Sequence, residues 1–154
     1  IPMNRTMLVL LLLVVMAVPA KAQWGYPVQN VYDSGYTYIL YSSGNIVREG
    51  GWGGRVLIDN GTGSQMIAAG GGRCYVLKNN GNIWMYEGSN WRMVDNGTGT
   101  SRIWVEWGTV YCRKNSGQTW RCVNPYTMQW QQTGGGWRDV ARVANFEKLQ
   151  IGTN

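Results

Sequence analysis

Apolar and polar residues along this chain alternate in short runs, and glycine and asparagine separate the runs. The clearest stretch predicts four strands, at 65–69, 73–78, 82–87 and 91–95. Between them stand Gly70-Gly71-Gly72, Asn79-Asn80-Gly81 and Gly88-Ser89-Asn90. Asn-Gly between apolar runs marks a tight hairpin, because a primed turn needs positive φ. Alternation on the third strand puts Ile83 and Met85 on one face and Trp84 and Tyr86 on the other. Outside the N-terminal run no segment carries a helical period. Residues 140–149 allow a helical reading, but their place in the register matches strand, turn and strand. The expectation is an all-β chain.

The pattern also repeats. Asp59-Asn60-Gly61-Thr62-Gly63 returns 36 residues later as Asp95-Asn96-Gly97-Thr98-Gly99. Tyr38, Tyr75 and Tyr111 are spaced by 37 and 36, and so are Gly44, Gly81 and Gly117. A fixed period of this size marks a repeat architecture, in which one unit buries its apolar face only against the next. Units run at about 38–74, 75–110 and 111–148, with partial units at both ends. Four strands per unit suit a β-propeller blade. Three units also suit a β-trefoil, which is the alternative fold. Staggered ends favour the propeller. Fewer than four full units implies a missing portion or assembly between chains.

The ends carry their own signals. Arg5 precedes an unbroken apolar run at 7–18, too short to span a bilayer, and Ala20-Lys21-Ala22 offers a small-residue cleavage pattern. This predicts a signal peptide at 1–22 and a secreted, extracellular domain at 23–154, not a membrane-inserted one. Ile1 and Pro2 stand before Met3, which suggests a translation begun upstream. Residues 149–154 match the register of Tyr75 to Asn80 and stop before a turn glycine, so the chain reads as a fragment cut in mid-repeat. An open strand edge there would promote self-association into a homo-oligomer.

The string Ile58-Asp59-Asn60-Gly61-Thr62-Gly63, Ile67-Ala68-Ala69-Gly70, Tyr75-x-Leu77, Gly81-x-Ile83-Trp84-x-Tyr86-x-Gly88-x-x-Trp91 resembles the tectonin family of β-propeller lectins. The likeness runs from about Val31 onward and is clearest from Tyr38 to Trp120. The third unit departs from it, with Gly134-Gly135-Gly136 where Asp-Asn-Gly-Thr-Gly is expected. The resemblance implies a secreted defence or recognition protein that binds glycans on cell surfaces or microbial envelopes, through pockets repeated from blade to blade.

Composition narrows the chemistry. The chain has 154 residues and no histidine, which removes the commonest general base and metal ligand. No catalytic residue, metal or cofactor is expected, and the protein is read as a non-enzyme. Asp59 and Asp95 hold one repeat position and read as turn aspartates accepting backbone N–H groups. Without the leader, 12 basic side chains face 8 acidic ones, a net charge of +4. The basic residues are scattered, which argues against nucleic acid. Nine tryptophans and nine tyrosines against one phenylalanine suit stacking on sugar rings, and equally suit packing between sheets. Trp84 and Trp120 recur at one position and are read as core between blades ahead of ligand contacts. Trp91, Trp130 and Trp52 lie beside loops and are read as core or ligand contacts. Trp104 and Trp107 replace small residues of the preceding unit and mark either a special site or a special contact.

Asn60 and Asn96 begin Asn-Gly-Thr glycosylation patterns. Cys112 and Cys122 flank a hairpin turn and lie on a diagonal, so they are read as a disulfide or as free thiols. Cys74 is a small buried hydrophobe or a link to another chain. The leading function is a multivalent lectin. The alternative is a structural or adhesive matrix protein.

Overall fold

The computed structural model describes residues 24–134. The expected leader and the expected partial repeat at the C-terminus lie outside them. The described residues form twelve strands and no helix. Strands β1 (Pro27–Asp33), β2 (Tyr36–Tyr41), β3 (Ile46–Glu49) and β4 (Arg55–Asp59) make the first sheet. The second holds β5 (Ser64–Gly70), β6 (Arg73–Lys78), β7 (Ile83–Glu87) and β8 (Asn90–Asp95). The third holds β9 (Thr100–Glu106), β10 (Thr109–Lys114), β11 (Thr119–Asn124) and β12 (Gln129–Gly134). Each sheet is an antiparallel meander in chain order. The four strands expected at 65–95 match β5 to β8 within a residue at each end.

No strand of one sheet pairs with a strand of another among the described residues. The continuous barrel of a β-trefoil is therefore not formed among the described residues. The units bury their faces by stacking instead. The first strands lead this contact, β1 beside β5 and β5 beside β9. The side chain of Gln29 does for β1 and β5 what a ladder would do. Its amide donates to the Ile67 carbonyl at 2.8 Å and accepts from the Ile67 N–H at 2.8 Å. Gly70 lets β5 approach β9, since a Cβ there would lie 2.4 Å from Val105 Cγ1.

The middle sheet is covered on both faces, and its sequence says why. β6 reads Cys74-Tyr75-Val76-Leu77, a continuous apolar run, which is how a strand buried on both faces is written. Cys74 and Val76 join Tyr38, Leu40 and Ile46 in the core against the first sheet. Tyr75 and Leu77 join Ile103, Val110 and Cys112 in the core against the third. Ile83 and Met85 fall in the second core and Trp84 and Tyr86 in the first, as alternation predicts. Each fully buried apolar side chain contributes about 1.5–3 kcal/mol.

Because every sheet is a meander, the connections gather at two ends. One end carries the Asp-Asn-Gly-Thr-Gly linkers and the β2–β3, β6–β7 and β10–β11 turns; we call it the linker rim. The other carries the β1–β2, β3–β4, β5–β6, β7–β8, β9–β10 and β11–β12 turns; we call it the hairpin rim. At the linker rim Gly81 has φ +91°, and a Cβ on it would meet the Thr98 Cα at 2.9 Å. Turn and linker pack backbone to backbone there, which leaves no room for a side chain.

All three cysteines are buried and free. The Cys112–Cys122 bridge is not formed. Cys112 stands opposite Trp120 and Cys122 opposite Trp130, so the two thiols sit on the diagonal of the ladder. Cys74 is fully buried, as a small hydrophobe and not as an exposed link.

Candidate functional site

The linker aspartates do two jobs. Asp59 Oδ1 accepts from the Gly61 N–H at 2.8 Å, which makes the expected aspartate turn. Its Oδ2 accepts from Lys78 Nζ at 2.7 Å, across the junction between the first and second sheets. Lys78 also donates to Ser64 Oγ at 2.8 Å. One repeat later the set returns. Asp95 Oδ1 accepts from the Gly97 N–H at 2.9 Å, and its Oδ2 from Lys114 Nζ at 3.0 Å. Lys114 donates to Thr100 Oγ1 at 2.8 Å. The four side chains are about four-fifths covered, so each pair is shielded but not dry.

Two tryptophans complete each junction. The Trp91 indole N–H donates to the Ile58 carbonyl of the preceding sheet at 2.7 Å. The Trp130 N–H donates to the Val94 carbonyl at 2.8 Å. Ile58 and Val94 hold one repeat position, next to the aspartates. A cleft of about 220 Å³ is lined by Asp59, Val76, Lys78, Trp84 and Trp91. A second, of about 200 Å³, is lined by Asp95, Cys112, Lys114, Trp120 and Trp130. These are the same five strand positions. Each aspartate and lysine ends its strand, and each tryptophan is second on its own. The period that builds the fold thus builds one cleft twice.

Each cleft offers flat indole surface, a carboxylate and an ammonium group of no net charge. That suits a small neutral ligand with a weakly polar face and hydroxyl groups on its edge. It does not suit covalent chemistry. Burial pushes the Cys112 thiol up to about 11, offset in part by Lys114, so it stays protonated at neutral pH and is a poor nucleophile.

The five tryptophans singled out from the sequence separate here. Trp91 and Trp130 line the two clefts and also tie the sheets together, so core and ligand contact are not exclusive for them. Trp52 does not share their position. The register sets Arg55 opposite Glu49 as Trp91 lies opposite Tyr86, and Trp52 stands exposed in the β3–β4 turn. Trp104 stacks on Tyr111 at 5.6 Å between ring centroids and donates to Glu106 at 3.1 Å, away from both clefts. Trp107 is exposed at the β9–β10 turn. The sequence reading missed Asp59, Lys78, Asp95 and Lys114 as a paired set, and favoured core over ligand contact for Trp84 and Trp120. The signal was present: opposite charges recur with the period, at 59 and 95 and at 78 and 114. Asn60 and Asn96 are exposed at the linker rim, each next to a cleft aspartate.

Compared with known proteins, the chain matches no family model and no curated protein sequence.

Proposed function

We propose that this chain is part of a secreted β-propeller lectin of tectonin type, which binds cell-surface glycans through its repeated clefts between sheets. The observation that carries the reading is the construction of two clefts from one set of five positions. Indoles supply the stacking surface, and the Asp–Lys pair supplies an acceptor and a donor for ring hydroxyls. Each cleft has room for about one sugar unit, so each binds weakly. Two held in fixed geometry make the second contact intramolecular and raise avidity. An N-glycan on Asn60 or Asn96 would stand at a cleft mouth and narrow what can enter. The adhesive-matrix reading is weaker, because its cross-link would come from Cys74, and that thiol is buried.

A glycan-array screen tests this, comparing the wild type with the Lys78→Gln/Lys114→Gln double variant. The expected result is a defined set of glycans bound by the wild type and lost or strongly weakened in the double variant. Absence of any bound glycan, or equal binding by a folded double variant, would overturn the reading.

A further inference from the structure

Exposed apolar side chains are not spread evenly over the molecule. Among the described residues nine large ones stand exposed, and six of these lie at or beside the hairpin rim: Tyr32, Trp52, Trp107, Val123, Tyr126 and Met128. Trp52 and Trp107 are as exposed as a free side chain, at 108% and 102%. The linker rim has a different character, with its Asp–Lys pairs and the two exposed Asn-Gly-Thr sites.

Trp107 has a backbone that makes its choice costly. It is the first residue of a two-residue turn between Glu106 and Thr109, at φ +51°. The equivalent position is Ser34 in the first sheet, at φ +52°, and Gly71 in the second, at φ +63°. Left-handed backbone crowds a Cβ, and a bulky aromatic residue is rare there. No indole contact with the described residues offsets that cost, since Trp107 is fully exposed. A strained, exposed tryptophan where the repeat uses glycine or serine points to something outside the fold.

The charges of this rim are paired only in part: Glu106, next to Trp107, accepts from the Trp104 indole N–H at 3.1 Å and has no cation partner among the described residues. Glu49 pairs with Arg55, and Glu87 pairs with Arg73. Asp33 accepts from the Gly72 N–H at 2.7 Å, and Tyr126 donates to Glu87 at 2.8 Å. The rim therefore presents protruding indoles beside acidic groups that are ion-paired or hydrogen-bonded. A sugar site needs a concave wall with polar groups converging on it; a small cavity of about 110 Å³ lies beside the Trp107 turn, lined by Arg73, Gly108, Thr109 and Pro125, but neither the Trp52 nor the Trp107 indole lines it. An anionic polymer needs free positive charge. Convex aromatic tips fit the interfacial layer of a bilayer, where tryptophan and tyrosine place an apolar body and a polar edge.

We infer that the hairpin rim is a membrane-docking surface, on which Trp107 and Trp52 enter the headgroup region of a zwitterionic bilayer while the sheets remain outside it. No helix among the described residues is long and apolar enough to cross a membrane, so the binding is of the kind that lies on the surface. The two glycosylation patterns lie at the opposite rim, where attached sugar would not obstruct this contact. The inference does not rest on the sugar-binding reading of the clefts.

Co-sedimentation with phosphatidylcholine vesicles tests it, using the wild type, Trp107→Gly, Trp52→Ser and the double variant. Trp107→Gly is a strong test because glycine relieves the positive φ, so its melting temperature should equal or exceed that of the wild type. The wild type is expected to sediment with the vesicles with little dependence on salt. Each single variant should lose about tenfold in partitioning, and the double variant should remain in solution. The cleft variant Lys78→Gln/Lys114→Gln should sediment like the wild type. Failure of the wild type to sediment would overturn the inference. So would a double variant that still sediments, binding confined to anionic vesicles and abolished by salt, or glycan binding that depends on Trp107.

Discussion

Three sheets present the same leading face, and among the described residues only the two with a sheet before them make a cleft. The second and third sheets place Lys78 and Lys114, Trp84 and Trp120, and Trp91 and Trp130 against the sheet before. On the first sheet those positions hold Tyr41, Val47 and Arg55. Trp24 covers them, its ring 5.5 Å from Tyr41 and under the Arg55 guanidinium at 5.8 Å. Ile39 and Val47 are buried there without any Asp–Lys pair. The strands thus fold and bury this face with valine and tyrosine. The charged pair and the two indoles stand only where one described sheet meets another, so they hold the junction as well as line the cleft.

The comparison is most exposed to failure at the tryptophan position. Trp91→Ala removes packing between sheets and leaves the Ile58 carbonyl without its partner, for a loss of about 3 kcal/mol. Arg55→Ala, at the same strand position, removes a solvent-screened ion pair and should cost below about 1 kcal/mol. Urea unfolding of the two variants measures both. Equal losses would mean that the first sheet's leading face, covered by Trp24, is held as tightly as the junctions between sheets.

A smaller contrast separates the two rims. Gly81→Ala forces a Cβ into the linker backbone at positive φ and should cost about 2 kcal/mol or more. Gly88, at φ +71°, has nothing within 4 Å of where a Cβ would stand, so Gly88→Ala carries only the conformational cost, about 1 kcal/mol. Thermal melts that rank them the other way would contradict the tight packing of turn on linker.

The smallest effect concerns the thiols of the third sheet. Burial pushes Cys112 and Cys122 up to about 11, from an ordinary value of 9.0. Between those values the unfolded chain loses thiol protons that the folded chain keeps. Stability therefore falls as pH rises through that window and is insensitive to these groups below it. Denaturation midpoints across pH 8 to 11, compared with a Cys112→Ala/Cys122→Ala variant, should show a shallower alkaline decline in the variant. Rapid labelling of either thiol in the native state would contradict their burial.

The fold was legible because both of its signals are local. Strand alternation and Asn-Gly turns place β5 to β8, and the return of Asp-Asn-Gly-Thr-Gly gives the period. What pairs across a junction was less legible. Lys78 and Asp59 lie 19 residues apart on different sheets, and nothing in strand periodicity says that the end of one strand reaches the end of another. Trp52 was aligned with Trp91 because both stand near glycine-rich loops. The register, which gives that place to Arg55, depends on the length of the 50–54 turn. Trp107 could be seen as replacing a small residue, but its left-handed backbone follows from the two-residue hairpin and becomes plain only with the structure.

The central claim is that one cleft is built twice and used twice. Calorimetric titration with a monosaccharide or disaccharide taken from the array measures this most directly, on the wild type, Lys78→Gln and Lys114→Gln. The account predicts two similar sites in the wild type, one in each single variant and none in the double variant. A single site in the wild type, or a stoichiometry unchanged in both single variants while they remain folded, would contradict it.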